Sequence, residues 1–254
     1  MENLVSQEWF YPADRSMAQM PRWEYHVHSD FSDGAASVSK TMAVARAKGI
    51  QRLIFTEHTE PELVADAGWF ARYARTVRDL RRSEAGDMAV VLGLEVPILD
   101  LEGNLLATEE MLSESEFILG AVHAYPGYGW NLAGIDPALA IDLEFQGLLA
   151  LIDHPRVHAI AHPGGVCGKY VTPFPMSLFE QVVVRAKARG KAIELNPAYH
   201  HPMAPFLEIC RRHGVLLAPG SNAHHPDEIG LAWKVLQETE AQLWRKSGII
   251  GKFT

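Results

Sequence analysis

The chain has 254 residues, 48% of them hydrophobic and 21% charged, a balance that excludes a disordered protein and allows a sizeable core. Lysine and arginine number 23 against 31 aspartate and glutamate, a formal net charge of −8, which argues against a broad electrostatic footprint for nucleic acid. Cys167 and Cys210 form neither a CxxC pair nor a disulfide framework. The segment MENLVSQEWFYPADRS lacks the basic start and apolar run of a signal peptide, and no apolar stretch has bilayer length, so a cytoplasmic location without membrane contact is expected.

Strand-like apolar runs follow in chain order at Trp23 to His28, Arg52 to Thr56, Met88 to Leu94, Phe117 to Val122, Val157 to Ala161, Ala192 to Leu195 and Val215 to Ala218. Amphipathic segments lie between them. Val38, Met42 and Ala45 mark one helical face, Leu178, Val182 and Ala186 a second, and Phe206, Leu207 and Cys210 a third. Gly49, Gly190 and Gly214 end helices and lead into strands. Alternation of this kind predicts parallel strands closed into an α/β barrel, with an open doubly wound sheet as the alternative. In both, chemistry belongs at the carboxyl ends of the strands.

Donor residues stand at those ends. His26 and His28 share one face of the first run, because side chains alternate along a strand. Thr56-Glu57-His58, Glu95, His123, His162, Glu194 with Asn196, and Asn222 with His224 close the later runs. Imidazole and carboxylate suit zinc, manganese or iron. Together with Asp33, the eight or nine donors exceed the needs of one ion and imply two or three divalent ions, with magnesium also admissible. Among the other histidines, a structural or surface part is expected of His154, His158 and His213. His200, His201 and His225 stand apart because their loops lie on the active face.

The ordered series HVHSDFSDG, TEH, GLE, GAVH, AHPG, IELN and GSNAH, spread over residues 23–235, resembles the PHP family, named for polymerases and histidinol phosphatases. The resemblance implies a distorted seven-stranded (β/α)7 TIM-like barrel, a single domain over residues 1–254, and a trinuclear site that hydrolyses phosphoesters with a metal-activated water. Carried over by motif, one ion would take His26, His28, Glu95 and the position of Asn222. A second would share Glu95 and take His123 and His162, and a third would take Asp33, His58 and His224. Glu95, Asn222 and His224 are the residues assigned to catalysis. The stretch GLEVPILDLEGN resembles the branch that includes the PHP domains of bacterial family X polymerases and related stand-alone phosphatases.

The sequence departs from the family pattern at two places. The usual Ser-Asp-Ala-His reads Ser221-Asn222-Ala223-His224, so a carboxylate ligand becomes an amide and the first ion should be held less tightly. Three readings stand open: a natural variant with reduced occupancy, a catalytically silent relative, or an aspartate changed to trap substrate. After Asn196, where many relatives carry an arginine that could hold phosphate, the chain has Pro197-Ala198-Tyr199-His200-His201. Lys169, His200 and His201 are therefore the candidate substrate-binding residues, ahead of Arg22 and Arg156. Tyr128 and Trp130 form either a lid over the site or packing on the rim. Ser29 and Ser32 orient ligands or satisfy backbone groups. The expected activity is hydrolysis of a small phosphomonoester. The alternatives are 3′-end or exonuclease processing of nucleic acid and a metal-binding module with impaired catalysis.

Overall fold

The structure, a computed structural model, describes residues 7–246. Residues 1–6, the start of the segment searched for a signal peptide, and residues 247–254, the end of the expected domain, lie outside the described residues. The strands are β1 (Tyr11–Pro12), β2 (Trp23–Val27), β3 (Arg52–His58), β4 (Ala89–Pro97), β5 (Phe117–Ala121), β6 (Ala159–Ile160), β7 (Ala192–Leu195) and β8 (Leu216–Pro219). The helices are α1 (Val38–Ala47), α2 (Pro61–Ala65), α3 (Trp69–Glu84), α4 (Glu109–Glu114), α5 (Pro137–Asp153), α6 (Gly165–Tyr170), α7 (Met176–Arg189), α8 (Met203–His213) and α9 (Leu231–Lys246).

All eight strands join one sheet in the order β1-β8-β7-β6-β5-β4-β3-β2. From β2 to β8 every neighbouring pair is parallel, as the helical crossovers require. The expected count of seven is corrected to eight, because β1 adds an antiparallel pair with Tyr11 opposite Leu217. Two residues are too few to show an alternating pattern. The sheet curls into a half-barrel, and at the carboxyl end of β2 Val27 bridges Ala223. There the His28 N–H donates to the Ala223 carbonyl at 2.9 Å and the Ala223 N–H to the His26 carbonyl at 3.0 Å. Among the described residues no helix is long and apolar enough to cross a membrane.

The two faces of the sheet carry different cores. Leu53, Phe55, Val90 and Leu92 pack with Val77, Leu151, Val182 and Leu207 of the helices. The alternate residues Ile54, Val91, Leu119, Ala159, Ala192 and Ala218 form a smaller cluster on the face turned away from the helices, built largely of short side chains. Phe10, Tyr25 and Phe117 stack at the amino ends of the strands, with ring centroids 5.9–6.2 Å apart, and the Tyr25 hydroxyl donates to the Trp9 carbonyl. The apolar packing thus fills one end of the curled sheet, and the same face is polar at the other. Gly190 and Gly214 end α7 and α8 in the left-handed region, as expected, and Asp136 caps α5 by accepting from the Ala138 and Leu139 N–H groups.

His158 takes a structural part. Its Nδ1 accepts the Ile118 N–H at 2.9 Å, and burial followed by the charge of Lys191 pushes its pKa down to about 4. The fold favours the neutral ring, so its contribution is complete above the unfolded pKa of about 6.5 and is lost as pH falls toward 4. Between pH 7 and 4.5 the wild-type protein should lose roughly 2 kcal/mol more stability than His158→Gln, measured by denaturant titration. Equal losses in the two proteins would show that this ring is not protonated on unfolding.

Candidate metal centre

The β3–β4 register pairs His58 with Glu95, and on that pairing the rest of the site is built. The Glu95 side chain is fully buried. Its Oε1 lies 2.9 Å from His123 Nε2 and 3.1 Å from His162 Nε2, and its Oε2 lies 2.9 Å from His58 Nδ1, 3.1 Å from His26 Nε2 and 3.7 Å from His28 Nε2. Burial alone would raise the pKa of this carboxyl, but the charges of His123, His26 and His58 outweigh it and hold the group well below the usual range.

A second group opens toward solvent. Asp33, on the turn after β2, places Oδ2 3.1 Å from His224 Nε2 and Oδ1 3.6 Å from His58 Nε2 and 3.9 Å from His28 Nδ1. His28 stacks between His58 and His224, with ring centroids 4.1 and 4.3 Å away. Asn222, in the left-handed region at φ 52°, which asparagine tolerates better than most residues, sets Oδ1 3.0 Å from His28 Nε2. His26, His28, Asp33, His58, Glu95, His123, His162, Asn222 and His224 are thereby brought into one continuous cluster.

Three buried glutamates hold the turns that carry these donors. Glu57 accepts the Ser29 N–H at 2.9 Å and the Ser29 hydroxyl at 2.6 Å, and also the Ser32 hydroxyl, which fixes the turn leading to Asp33. Burial raises its pKa to about 7. Glu24 accepts the Ser221 N–H and the Gly230 N–H, both at 2.8 Å, together with the Ser221 hydroxyl, and so fixes the loop of Asn222 and His224. Glu194 bonds His26 Nδ1 at 2.7 Å and accepts the His162 N–H at 2.6 Å. Gly220 has no room for a side chain, since a Cβ there would stand 1.9 Å from Glu194 Oε1. Sequence reasoning noted Glu57 and Glu194 as strand-end donors but missed this anchoring and missed Glu24. The available signal was an acidic residue inside a strand-like run, between Trp23 and Tyr25.

The donor set fits divalent cations. Among the described residues, the buried atoms His26 Nε2, His28 Nδ1 and Glu95 Oε2 have no hydrogen-bond partner. His26 Nε2 and Glu95 Oε2 are 3.1 Å apart without the angles of a hydrogen bond, the arrangement of two donors facing a shared cation. Glu194 on His26 Nδ1 is the carboxylate–imidazole pairing that orients a ligating ring. Burial opposes a charge on His26, but Glu95 and Glu194 raise its pKa well above the usual value, while burial and then neighbouring His58 and His26 push His28 well below it. A proton at His26 supplies the charge that a cation would bring.

The close donor groups are His26, His28 and Glu95; His28, Asp33, His58 and His224; His58, Glu95 and His123; and His26, His162 and Glu194. The first holds three of the four residues expected for the first ion, His26, His28 and Glu95, and Asn222 Oδ1 stands 3.0 Å from His28 Nε2. In the second and third His28 and His58 reach further than expected, because each ring offers two nitrogens to two neighbouring groups.

The expected substrate-binding residues do not form one set. His200 is buried, with Nδ1 accepting the Asn196 N–H at 3.0 Å and Nε2 donating to the Pro163 carbonyl at 3.2 Å, so both nitrogens hold backbone. His201 is exposed. The Lys169 ammonium lies over the rings of Tyr199, at 4.8 Å, and Tyr170, at 5.3 Å, and Tyr199 in turn packs on His162 at 4.3 Å. Arg22 bonds the Lys48 carbonyl and stacks on Trp233, Arg156 pairs with Glu109, and His213 pairs with Glu180. His225 caps the short turn before α9. A cavity of about 670 Å³ opens beside His58 and His123, with Trp130 on its wall.

Residues 24–198 match the PHP domain family. The chain belongs to the PHP family. A probable phosphatase of Caldicellulosiruptor bescii is 28% identical over 215 residues, covering 82% of this chain and 81% of that one. The DNA polymerase/3′-5′ exonuclease PolX of Bacillus subtilis is 25% identical over 206 residues, 80% of this chain but 34% of that one. Among solved structures, the histidinol phosphate phosphatase of Lactococcus lactis, complexed with zinc, L-histidinol and phosphate, shares the fold with a TM-score of 0.64 at 17% identity, over 87% of this chain and 92% of that one.

Glu95→Gln should lower bound metal by more than one equivalent, read by elemental analysis of the purified protein, because one carboxylate faces both donor groups. Unchanged metal content would make Glu95 a bystander. Gly220→Ala should displace Glu194 from His26 and weaken metal affinity about tenfold or more while circular dichroism stays native, as loss of an orienting partner does.

Proposed function

We propose that this chain is a metal-dependent phosphoesterase that hydrolyses small phosphomonoesters. The observation that carries this reading is the set of partnerless buried donors around Glu95, in a PHP family member whose relatives include probable phosphatases. We assign two or three divalent ions, of zinc, manganese or iron with magnesium admissible, to the donor groups above. His26, His28, Glu95 and Asn222 would hold one, Glu95 with His123, His162 and His58 another, and Asp33, His58 and His224 the most exposed. Bound ions of this type polarise phosphoryl oxygens and bring the pKa of water toward neutrality.

The chain's own groups complete the chemistry. Glu95 fixes the spacing of the two inner donor groups. Asp33 bonds His224 at the exposed rim and orients its ring, and that bond and the charge of Asp33 raise the pKa of the imidazole against the effect of burial. Asn222 offers a carbonyl oxygen but no proton acceptor, so it orients and does not act as a base. Lys169, beside Tyr199, is the cation placed to draw a phosphate toward the site. A single domain acting in the cytoplasm is part of the same proposal.

The purified protein should release phosphate from a panel of small phosphomonoesters with added manganese, lose that activity to a chelator and regain it with metal, while leaving labelled single-stranded DNA intact. Shortening of the DNA would favour nucleic-acid processing, and inactivity on both would favour a metal-binding module. Asn222→Asp restores a carboxylate beside His28 and should raise metal occupancy. If the lost carboxylate helped a proton transfer, turnover should rise on the order of 10²-fold. Full occupancy with Asn222 and no gain in rate would show that position 222 has no such role.

A further inference from the structure

Resting on the phosphatase reading, we propose that the alcohol released at this site carries one flat apolar group about the size of an aromatic ring and no second negative charge. The cavity of about 670 Å³ joins the metal centre on one side, through His58 and His123, and is otherwise walled by Trp130, Leu132, Ile135, Tyr170, Val171 and Tyr199. Its inner wall continues the imidazoles: Trp130 lies 5.8 Å from His123 and Tyr199 lies 4.3 Å from His162, between ring centroids. A phosphoryl group seated at this centre would therefore direct its ester substituent along aromatic faces.

Trp130 is 56% exposed and Tyr170 61% exposed, and these apolar surfaces are relieved of water only when something apolar covers them. Offset or edge-on stacking on such rings favours a planar guest. The charge pattern sets the second condition. No lysine or arginine lines the cavity, and its one carboxylate, Glu60, has no ion-pair partner among the described residues. A carboxylate or second phosphate on the part of the substrate lying in the cavity would face Glu60, with no lysine or arginine in that lining to offset it. Lys169 is not part of the lining, its ammonium lying 4.8 Å from the Tyr199 ring centroid and 5.3 Å from that of Tyr170.

Metal-loaded protein is to be assayed with 2-phenylethyl, ethyl and 2-carboxyethyl phosphate, whose leaving alcohols are of comparable acidity. The value of kcat/KM should fall in that order, by about tenfold or more between the first two, as ring burial implies. In Trp130→Ala and Tyr170→Ala, both at exposed positions, the ratio of the phenylethyl to the ethyl ester should fall toward one. Equal rates for the three esters, preference for the carboxyethyl ester, or a ratio untouched by both substitutions would overturn the proposal and leave the phosphatase reading standing. If none of the three is hydrolysed, the substrate class proposed here falls, and the phosphatase reading falls with it only when the wider panel is also inert.

Discussion

A fully buried carboxylate shared by five imidazoles is the constraint on which the rest of this protein depends. Taking Glu95 out of water costs several kcal/mol unless nearby charge compensates it. That compensation comes from His26, His28, His58, His123 and His162, which reach Glu95 from the carboxyl ends of β2, β3, β5 and β6. No two neighbouring strands could supply so many rings to one point. A parallel sheet curled until Val27 meets Ala223 does so, because it aims the ends of all its strands at one place.

The curl in turn depends on what lies beneath the site. The face turned away from the helices carries Ala121, Ala159, Ala161, Ala192 and Ala218, short side chains that let the sheet bend tightly, and the aromatic stack of Phe10, Tyr25 and Phe117 fills the far end. Gly93, directly below Glu95 on the same face of β4, has no space for a Cβ, which would stand 2.8 Å from the Phe55 carbonyl. Around the rim, Glu24, Glu57 and Glu194 fasten the donor-bearing turns to the strands. Each is buried where a charge is costly, so each has its hydrogen bonds filled. The polar cluster is preorganised by a polar shell and not by loop packing.

Most of this order was legible in the residues. The seven strands β2 to β8 fall where the apolar runs lie, with shifts of at most three residues at their ends, and Ala192–Leu195 falls at the stated bounds. Donor residues at strand ends proved to be the converging ones, since the position of a residue along a parallel strand decides which end of the sheet it occupies. The rest was hidden for physical reasons. β1 is held by its partner β8 and has no pattern of its own. His200 stood in a loop that looked open to substrate, but the backbone N–H of Asn196 and the carbonyl of Pro163 occupy its ring, and only a folded chain shows such contacts. The double service of His28 and His58 depends on ring orientation, which sequence does not carry. Glu24, two residues before His26, carries no local sign of its role, because its partners Ser221 and Gly230 lie some 200 positions later in sequence.

The central claim is that divalent cations complete the balance around Glu95. Anomalous diffraction at the zinc edge, from crystals of the wild-type protein grown with zinc, tests it most directly. The account predicts at least two peaks in contact with Glu95, one on each carboxylate oxygen, with the peak at His26 Nε2 at about 2.0–2.2 Å from its ligands. A map with no peak near Glu95, and with His26 bonded directly to both Glu95 and Glu194, would mean that a proton alone balances the carboxylate, and the metal reading would be wrong.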